Sequence, residues 1–67
     1  MKKMDRQNLL MQRIGAEGAL EIAPLAKELD VSEETVRRDL KELERRGQVQ
    51  RKHGGATAPT DRTPEGY

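Results

Sequence analysis

The sequence of 67 residues contains no cysteine, no tryptophan and no phenylalanine, and its single histidine and single aromatic residue are His53 and Tyr67. Without cysteine the chain has no disulfide framework and no thiolate metal site. One histidine excludes histidine-rich metal clusters and every catalytic triad that needs a second base. One aromatic side chain provides no stacking platform for RNA or single-stranded DNA. We therefore expect no enzyme, no metal site and no cofactor.

Long apolar runs are also missing. No stretch approaches the roughly 20 apolar residues that span a bilayer, and no apolar segment of a signal peptide follows the basic start Met1-Lys2-Lys3. We expect no membrane partner and a cytoplasmic location. The length allows one small domain, close to the lower limit for a core that folds without disulfides or metals.

The net charge is only +1, but the charge is unevenly distributed. Residues 1–36 carry a net charge of −2, and residues 54–67 carry −1. Residues 37–53 hold seven basic and three acidic side chains, a net charge of +4. Positive charge confined to one segment is typical of a surface that binds a polyanion.

Most of this positive charge lies in a helix predicted over Ser32–Gly47. Ser32 is a suitable N-cap, and Val31 and Val36 are spaced to form a hydrophobic staple across it. Gly47 is able to adopt the left-handed conformation that ends a helix. The apolar positions form one narrow stripe that must face a core: Val36, Leu40 and Leu43.

The opposite side of this helix carries cations at every fourth position: Arg37, Lys41 and Arg45. Like charges at this spacing destabilise a helix by a few tenths of a kcal/mol. Either an anion binds to the row or the row is simply solvated. Glu34 and Glu42 are placed to pair with Arg38 and Arg46 one turn later.

The acidic residues of the basic segment are predicted to be structural. Asp39 falls beside the apolar stripe, so we expect an ion pair or hydrogen bond with Arg6 or Arg13 of the first helix. Apart from pairing with Arg46, Glu42 belongs with Glu44 on a solvated face.

Two further helices precede this one. The first is predicted over Asp5–Ala16, with Gly15 and Gly18 as a breaking zone. The second has Pro24 in its first turn and ends near Asp30. Because Asp tolerates left-handed backbone geometry, the three residues 30–32 can form a tight turn, and the two helices form a helix-turn-helix.

The remaining segments predict a small sheet. Residues 19–22 are a short strand or a connector, residues 48–51 and 56–58 pair as a hairpin, and residues 52–55 form a turn whose glycines supply positive φ. The fold class is therefore mainly α with a β-hairpin wing: a winged helix-turn-helix of three helices and a two- or three-stranded sheet. We expect one domain over residues 1–58 and a disordered tail or linker over 59–67.

Two motifs resemble the DeoR family of bacterial transcriptional regulators. They are S-E-E-T-V-R-R-D-L at residues 32–40, preceded by the helix of Arg6, Leu10 and Ile14, and R-K-H-G-G-A at residues 51–56. The resemblance covers about residues 5–58. It departs from the usual pattern at Asp30, where glycine is common, and at Ala23, where a polar cap commonly precedes the second helix.

The resemblance implies a DNA-binding domain, usually of a repressor. Family members typically add a C-terminal domain that binds a phosphorylated sugar and assembles the protein. No residues here correspond to that domain, so we expect an isolated DNA-binding domain, either excised or naturally short.

From these observations we expect sequence-specific binding of double-stranded operator DNA, with the helix of residues 32–46 in the major groove and the wing of residues 51–55 on the backbone or minor groove. Specific sites would need a homodimer or higher oligomer. The alternative is a winged helix that binds an acidic protein. The candidate DNA-binding residues are Ser32, Glu33, Glu34, Thr35, Arg37, Arg38, Lys41, Arg45, Arg51, Lys52 and His53.

These candidates differ in their expected roles. Arg37 is the first candidate for a bidentate contact with guanine, and a plain ion pair with Glu33 is the alternative. Arg38 either contacts DNA or pairs with Glu34. Lys41 has no acid one turn away and is a phosphate or base contact.

The other candidates lie at the ends of the helix and in the wing. Ser32 and Thr35 belong to the helix start, and their hydroxyls could also reach a phosphate. Arg45 caps the helix or contacts a peripheral phosphate. In the wing, Arg51 and Lys52 are cationic contacts, and His53 is either a third contact or a plain turn residue.

Overall fold

A computed structural model describes residues 1–59 of the chain, and the predicted tail from Thr60 onward lies outside this range. Within it the elements follow in the order of a winged helix-turn-helix, as predicted. They are α1 (Lys3–Glu17), β1 (Ala19–Glu21), α2 (Ile22–Leu29), α3 (Glu33–Arg45), β2 (Gln50–Lys52) and β3 (Gly55–Thr57). No helix in the described part is long and apolar enough to cross a bilayer.

The core forms where the three helices meet the sheet. The predicted stripe of α3 is fully buried: Val36 and Leu40 are 0% exposed and Leu43 is 2% exposed. Residues from every other element except β2 complete the core, together with Val49 from the loop before β2. These residues are Leu10, Ile14, Leu20, Ile22, Leu25, Ala26, Val49 and Ala56.

The first helix is longer than predicted at both ends. It begins at Lys3 and continues through Gly15 to Glu17, because a single glycine costs a helix only about 1 kcal/mol. It ends at Gly18, whose φ of +83° is left-handed and whose N–H donates to the Ile14 carbonyl at 2.7 Å. Of the two glycines, only Gly18 acts as the breaker.

The turn between α2 and α3 has the predicted geometry. Asp30 is left-handed, with a φ of +58°, and is the one non-glycine residue of the described chain with positive φ. The N–H of Val31 donates to the Ala26 carbonyl at 3.0 Å, which closes the end of α2. Val31 then packs against the core, so the turn fixes the direction in which α3 leaves α2.

The sheet has three antiparallel strands in the order β1-β3-β2. Residues 19–21 are therefore a true third strand, while Ile22 begins α2 instead of ending that strand. The hairpin lies one to two residues from its predicted position, since β2 includes Lys52 and the turn contains only His53 and Gly54. β2 begins later than predicted because Gln48 still belongs to the turn that ends α3. Its N–H donates to the Leu43 carbonyl at 2.9 Å.

Gly55 is required for packing and not for turn conformation. Of the two wing glycines only Gly54 has positive φ, at +79°. At Gly55 an added Cβ would lie 2.1 Å from the Leu20 carbonyl oxygen. The prediction that both glycines supply positive φ is therefore wrong for Gly55, whose role is the close approach of β3 to β1.

Candidate nucleic-acid interface

The start of α3 is capped as predicted. Ser32 Oγ accepts a hydrogen bond from the Thr35 N–H at 3.1 Å and lies 2.9 Å from Thr35 Oγ1. Ser32 is exposed and Thr35 is half-buried. The cap satisfies a backbone N–H of the first turn of α3, and a phosphate contact by either hydroxyl stays a prediction.

Asp39 anchors the buried side of α3 to α1. Arg6 donates to it through both Nε and Nη2, the second bond being 3.1 Å long, and Asp39 is 2% exposed. This hydrogen bond raises the pKa of Arg6. Of the two partners predicted for Asp39, the structure selects Arg6, because Arg13 instead forms a two-pronged pair with Glu28 of α2 at 2.5 and 3.1 Å.

Glu42 is also tied to α1, which corrects the prediction of a solvated side chain that pairs with Arg46. Its Oε1 lies 2.9 Å from Lys3 Nζ and accepts a hydrogen bond from Gln7 Nε2 at 3.1 Å. The hydrogen bonds from Lys3 and then Gln7 lower the pKa of Glu42. Glu44 is exposed, as predicted. Two of the three acids in the basic segment are thus held against α1.

The two arginines at the start of α3 have nearly equivalent partners. Arg37 Nη2 lies 3.8 Å from Glu33 Oε1, and Arg38 Nη2 lies 3.7 Å from Glu34 Oε2. Both distances are too long for good hydrogen bonds. The two arginines are therefore neutralised by their glutamates to a similar, small extent. The difference between them is burial, because the Arg37 side chain is 48% exposed and that of Arg38 is 70% exposed.

Four further cations on α3 and the wing form no ion pair within residues 1–59, and all are exposed: Lys41, Arg45, Arg51 and Lys52. Arg51 is held through its backbone, since its N–H points to Glu44 Oε2 at 3.5 Å. That contact ties β2 to α3 and leaves the Arg51 side chain free for a ligand.

A shallow depression of about 270 Å³ separates the outer face of α3 from the wing. We call it the basic depression. It is lined by Glu34, Arg37, Arg38, Lys41 and Arg51. Four cations from two elements therefore line the same depression as one acid, which brings together residues predicted separately on the helix and on the wing.

A second depression, the wing cleft, has a volume of about 420 Å³ and lies between the start of α2, the start of α3 and the wing tip. Arg37 and Arg51 border this cleft as well as the basic depression, and His53 lines the cleft beside Lys52. The two depressions thus bring together most of the predicted residues of α3 and the wing, while Ser32, Thr35 and Arg45 line neither of them.

The start of α2 also borders the wing cleft, through Ile22 and Ala23, and no residue of α2 was among the predicted contacts. The N-cap of α2 is Glu21, not Ala23, and its side chain makes no cap hydrogen bond. The Ile22 N–H instead donates to the Gly54 carbonyl at 2.9 Å. Pro24 was the available signal, since it marked a helix start close to the wing.

Within residues 1–59 no cluster of histidine and carboxylate side chains is arranged to hold a metal ion. The arrangement has instead the properties of an anion-binding surface: an exposed helix start, a row of cations and a basic hairpin beside it.

Residues 6–62 match the family model described as a DeoR-like helix-turn-helix domain. The chain belongs to the DeoR family. It is a DNA-binding domain of a transcriptional regulator, and the predicted family, fold and class of function are confirmed.

The curated relatives carry the names of transcriptional regulators and not of enzymes. The chain is 40% identical over 53 residues to an L-fucose operon activator of Haemophilus influenzae, which is 79% of this chain and 21% of that protein. It is 45% identical over 51 residues to the HTH-type transcriptional repressor CsqR of Escherichia coli, 76% of this chain and 20% of that protein.

A third relative is a putative galactitol utilization operon repressor of Escherichia coli, 39% identical over 56 residues, which is 84% of this chain and 50% of that protein. The chain thus spans about a fifth to a half of the length of these relatives. No solved structure matches the chain significantly.

Proposed function

We propose that this DeoR-family domain recognises operator DNA by placing α3 in a major groove while the wing lies on the adjacent backbone or minor groove. The observation that carries the proposal is the basic depression, where Arg37, Arg38 and Lys41 of α3 face the same space as Arg51 of the wing. Duplex DNA is the ligand whose charge and curvature suit a helix and a hairpin presented side by side.

The start of α3 supplies the base contacts in this proposal. Arg37 binds a guanine through O6 and N7. Its pair with Glu33 is exposed and 3.8 Å long, so giving it up costs no more than about 1 kcal/mol. Lys41 lies one turn later without an ionic partner among the described residues and binds a phosphate or base edge.

Six other predicted contacts position the domain on the duplex. Ser32 and Thr35 offer hydroxyls to a phosphate at the helix start, and Arg45 contacts a peripheral phosphate. In the wing, Arg51, Lys52 and His53 contact the sugar-phosphate backbone. Contacts of this kind fix orientation and carry little sequence information.

We extend the proposal to the protein that contains this domain. Two copies bind an operator with two-fold symmetry, because two adjacent domains recognise such a site better than a single domain does. The relatives include a glycerol-3-phosphate regulon repressor of Escherichia coli and a lactose phosphotransferase system repressor of Lactococcus lactis. Their names support repression as the mode of regulation. The resemblance to the family adds a cytoplasmic location and a phosphorylated sugar as an effector that binds outside this domain.

The experiment is selection from a random duplex library, followed by titration of the enriched duplex into the ¹⁵N-labelled chain. We expect amide shifts at residues 33–41 and 51–54 and discrimination against a scrambled duplex. Shifts confined to α1 would contradict the docking. Equal affinity for both duplexes would remove the proposed sequence specificity and favour an acidic protein partner, which presents no base edges.

A further inference from the structure

A buried polar contact joins α1 to the side of α3 that faces away from the cationic row. Within residues 1–59 the buried polar side chains are Gln7, 6% exposed, and Asp39, 2% exposed. Arg6, whose side chain is 14% exposed, holds both carboxylate oxygens of Asp39, and Gln7 Nε2 lies 3.5 Å from Oδ1.

The stability of the fold is a weak reason for the presence of the Arg6–Asp39 pair. A buried ion pair offers little or no net stabilisation over apolar residues of similar volume, because both charges lose their hydration. Aliphatic side chains would fill the same space. A bidentate arginine–carboxylate pair instead fixes the relative orientation of the two helices, since it forms in only a narrow range of geometries.

The rest of the α1–α3 contact is less directional. Glu42 is held to α1 only by single contacts, from Lys3, whose side chain is 55% exposed, and from Gln7. Val36, Leu40 and Leu43 are aliphatic and lie on one narrow stripe of α3. Burial of such a stripe changes little when the helix turns slightly about its axis. For a side-chain tip about 6 Å from that axis, a rotation of about 20° is a displacement of about 2 Å. Such a displacement breaks a bidentate contact with a base.

We infer that the Arg6–Asp39 pair is a positioning device that sets the rotation of α3 and so aims Arg37 and Lys41 at the base edges. Asp39 lies between these two residues in sequence and on the opposite side of the helix, so an anchor there controls their direction. The inference rests on the proposed DNA-reading function. It assigns to α1, which borders neither the basic depression nor the wing cleft, a part in sequence discrimination.

The test replaces both partners, Arg6→Met with Asp39→Leu, so that no unpaired charge is left buried. The matched control, Arg13→Gln with Glu28→Gln, removes the other two-pronged pair of α1, which leads to α2. Each variant and the wild-type chain are titrated with the duplex that wild type selects and with a scrambled duplex. Circular dichroism at the same temperature establishes that each is folded.

We expect the Arg6/Asp39 double variant to lose roughly tenfold or more of its preference for the selected duplex, about the effect of one lost base contact. Its affinity for the scrambled duplex and its salt slope stay close to wild type, because the phosphate contacts remain. The Arg13/Glu28 control keeps the full preference even if its melting temperature falls.

Unchanged preference in the folded double variant overturns the inference. If that variant does not fold, Arg6→Lys takes its place, because lysine retains the charge but cannot form the bidentate contact with Asp39. An unchanged preference in Arg6→Lys overturns the inference equally. The proposed function fails separately, and is recognised by a wild-type chain that does not discriminate between the two duplexes.

Discussion

Arg37 and Lys52 border the same wing cleft and are expected to affect DNA binding differently. Arg37→Ala should cost about 1–3 kcal/mol of preference for the selected duplex, because a base contact is lost. Lys52→Ala should weaken all duplexes about equally and reduce the salt slope by about 1, because a phosphate contact is lost. Fluorescence anisotropy at several salt concentrations measures both quantities.

The reverse result would exchange the two roles. A useful control is Lys27→Ala, since Lys27 is exposed on α2 and lines neither the basic depression nor the wing cleft. It should leave duplex preference unchanged.

A substitution at Gly55 tests the close approach of β3 to β1. A Cβ at this position would meet the Leu20 carbonyl oxygen at 2.1 Å, so Gly55→Ala must separate β3 from β1. We expect a loss of about 1–3 kcal/mol in the free energy of unfolding, measured by urea denaturation. Gly15→Ala is the matched control: nothing lies within 4 Å of its added Cβ, and it should stabilise α1 by roughly 0.5–1 kcal/mol. Equal effects would contradict the close approach of the strands.

At the scale of the element, the start of α3 depends on its cap. Ser32→Ala removes the acceptor of the Thr35 N–H and should cost about 1 kcal/mol in the free energy of unfolding. The first turn carries Glu33 and Glu34, which are among the candidate DNA-binding residues. Fraying of this turn should therefore also weaken binding of the selected duplex.

Ser32→Asn separates the cap from a direct phosphate contact. Asparagine is an equally good N-cap without a hydroxyl. If the cap alone matters, Ser32→Asn should restore both stability and affinity. Restored stability with weak DNA binding would instead assign the hydroxyl to a phosphate.

Across the whole molecule, the contacts of Glu42 with α1 are expected to make the stability of the fold depend on pH. Its pKa is lowered from 4.5 by hydrogen bonds from Lys3 and Gln7. A carboxyl group with a lower pKa in the folded state stabilises the fold above its unfolded pKa and stops doing so as the pH falls through the folded value. The wild-type chain should therefore melt at a higher temperature than Glu42→Gln at pH 7.

This difference in melting temperature should shrink as the pH is lowered through and below 4.5. Thermal denaturation followed by circular dichroism between pH 7 and pH 3 measures it. Glu44→Gln is the matched control, since Glu44 is exposed and forms no ion pair among the described residues. The glutamine keeps a side-chain oxygen that can accept the Arg51 N–H. A gap for Glu42→Gln that stays constant with pH would show that the lowered pKa of Glu42 does not contribute to stability.

The whole molecule also separates its charges, although its net charge is only +1. Asp39 and Glu42 bind α1, while Lys41 and Arg51 border the basic depression without ionic partners in the described range. The surface proposed to face DNA is consequently more basic than the net charge suggests.

Local sequence patterns determine much of this protein's secondary structure and burial without reference to tertiary contacts. Ser32, Asp30 and Gly47, whose φ is +76°, act on the backbone within a few residues of themselves, so the cap, the left-handed turn and the helix end were predictable. The apolar stripe of α3 and the burial of Asp39 followed from helical periodicity alone.

The tertiary structure decided the contacts between residues that are distant in sequence. It paired Asp39 with Arg6 and not Arg13, held Glu42 to Lys3 and Gln7, gave Gly55 its packing role and brought Arg51 to the same depression as Arg37. Periodicity shows which side of an element a residue occupies. It does not show which of several compatible partners lies opposite, because that depends on how the elements are rotated and spaced in the folded chain.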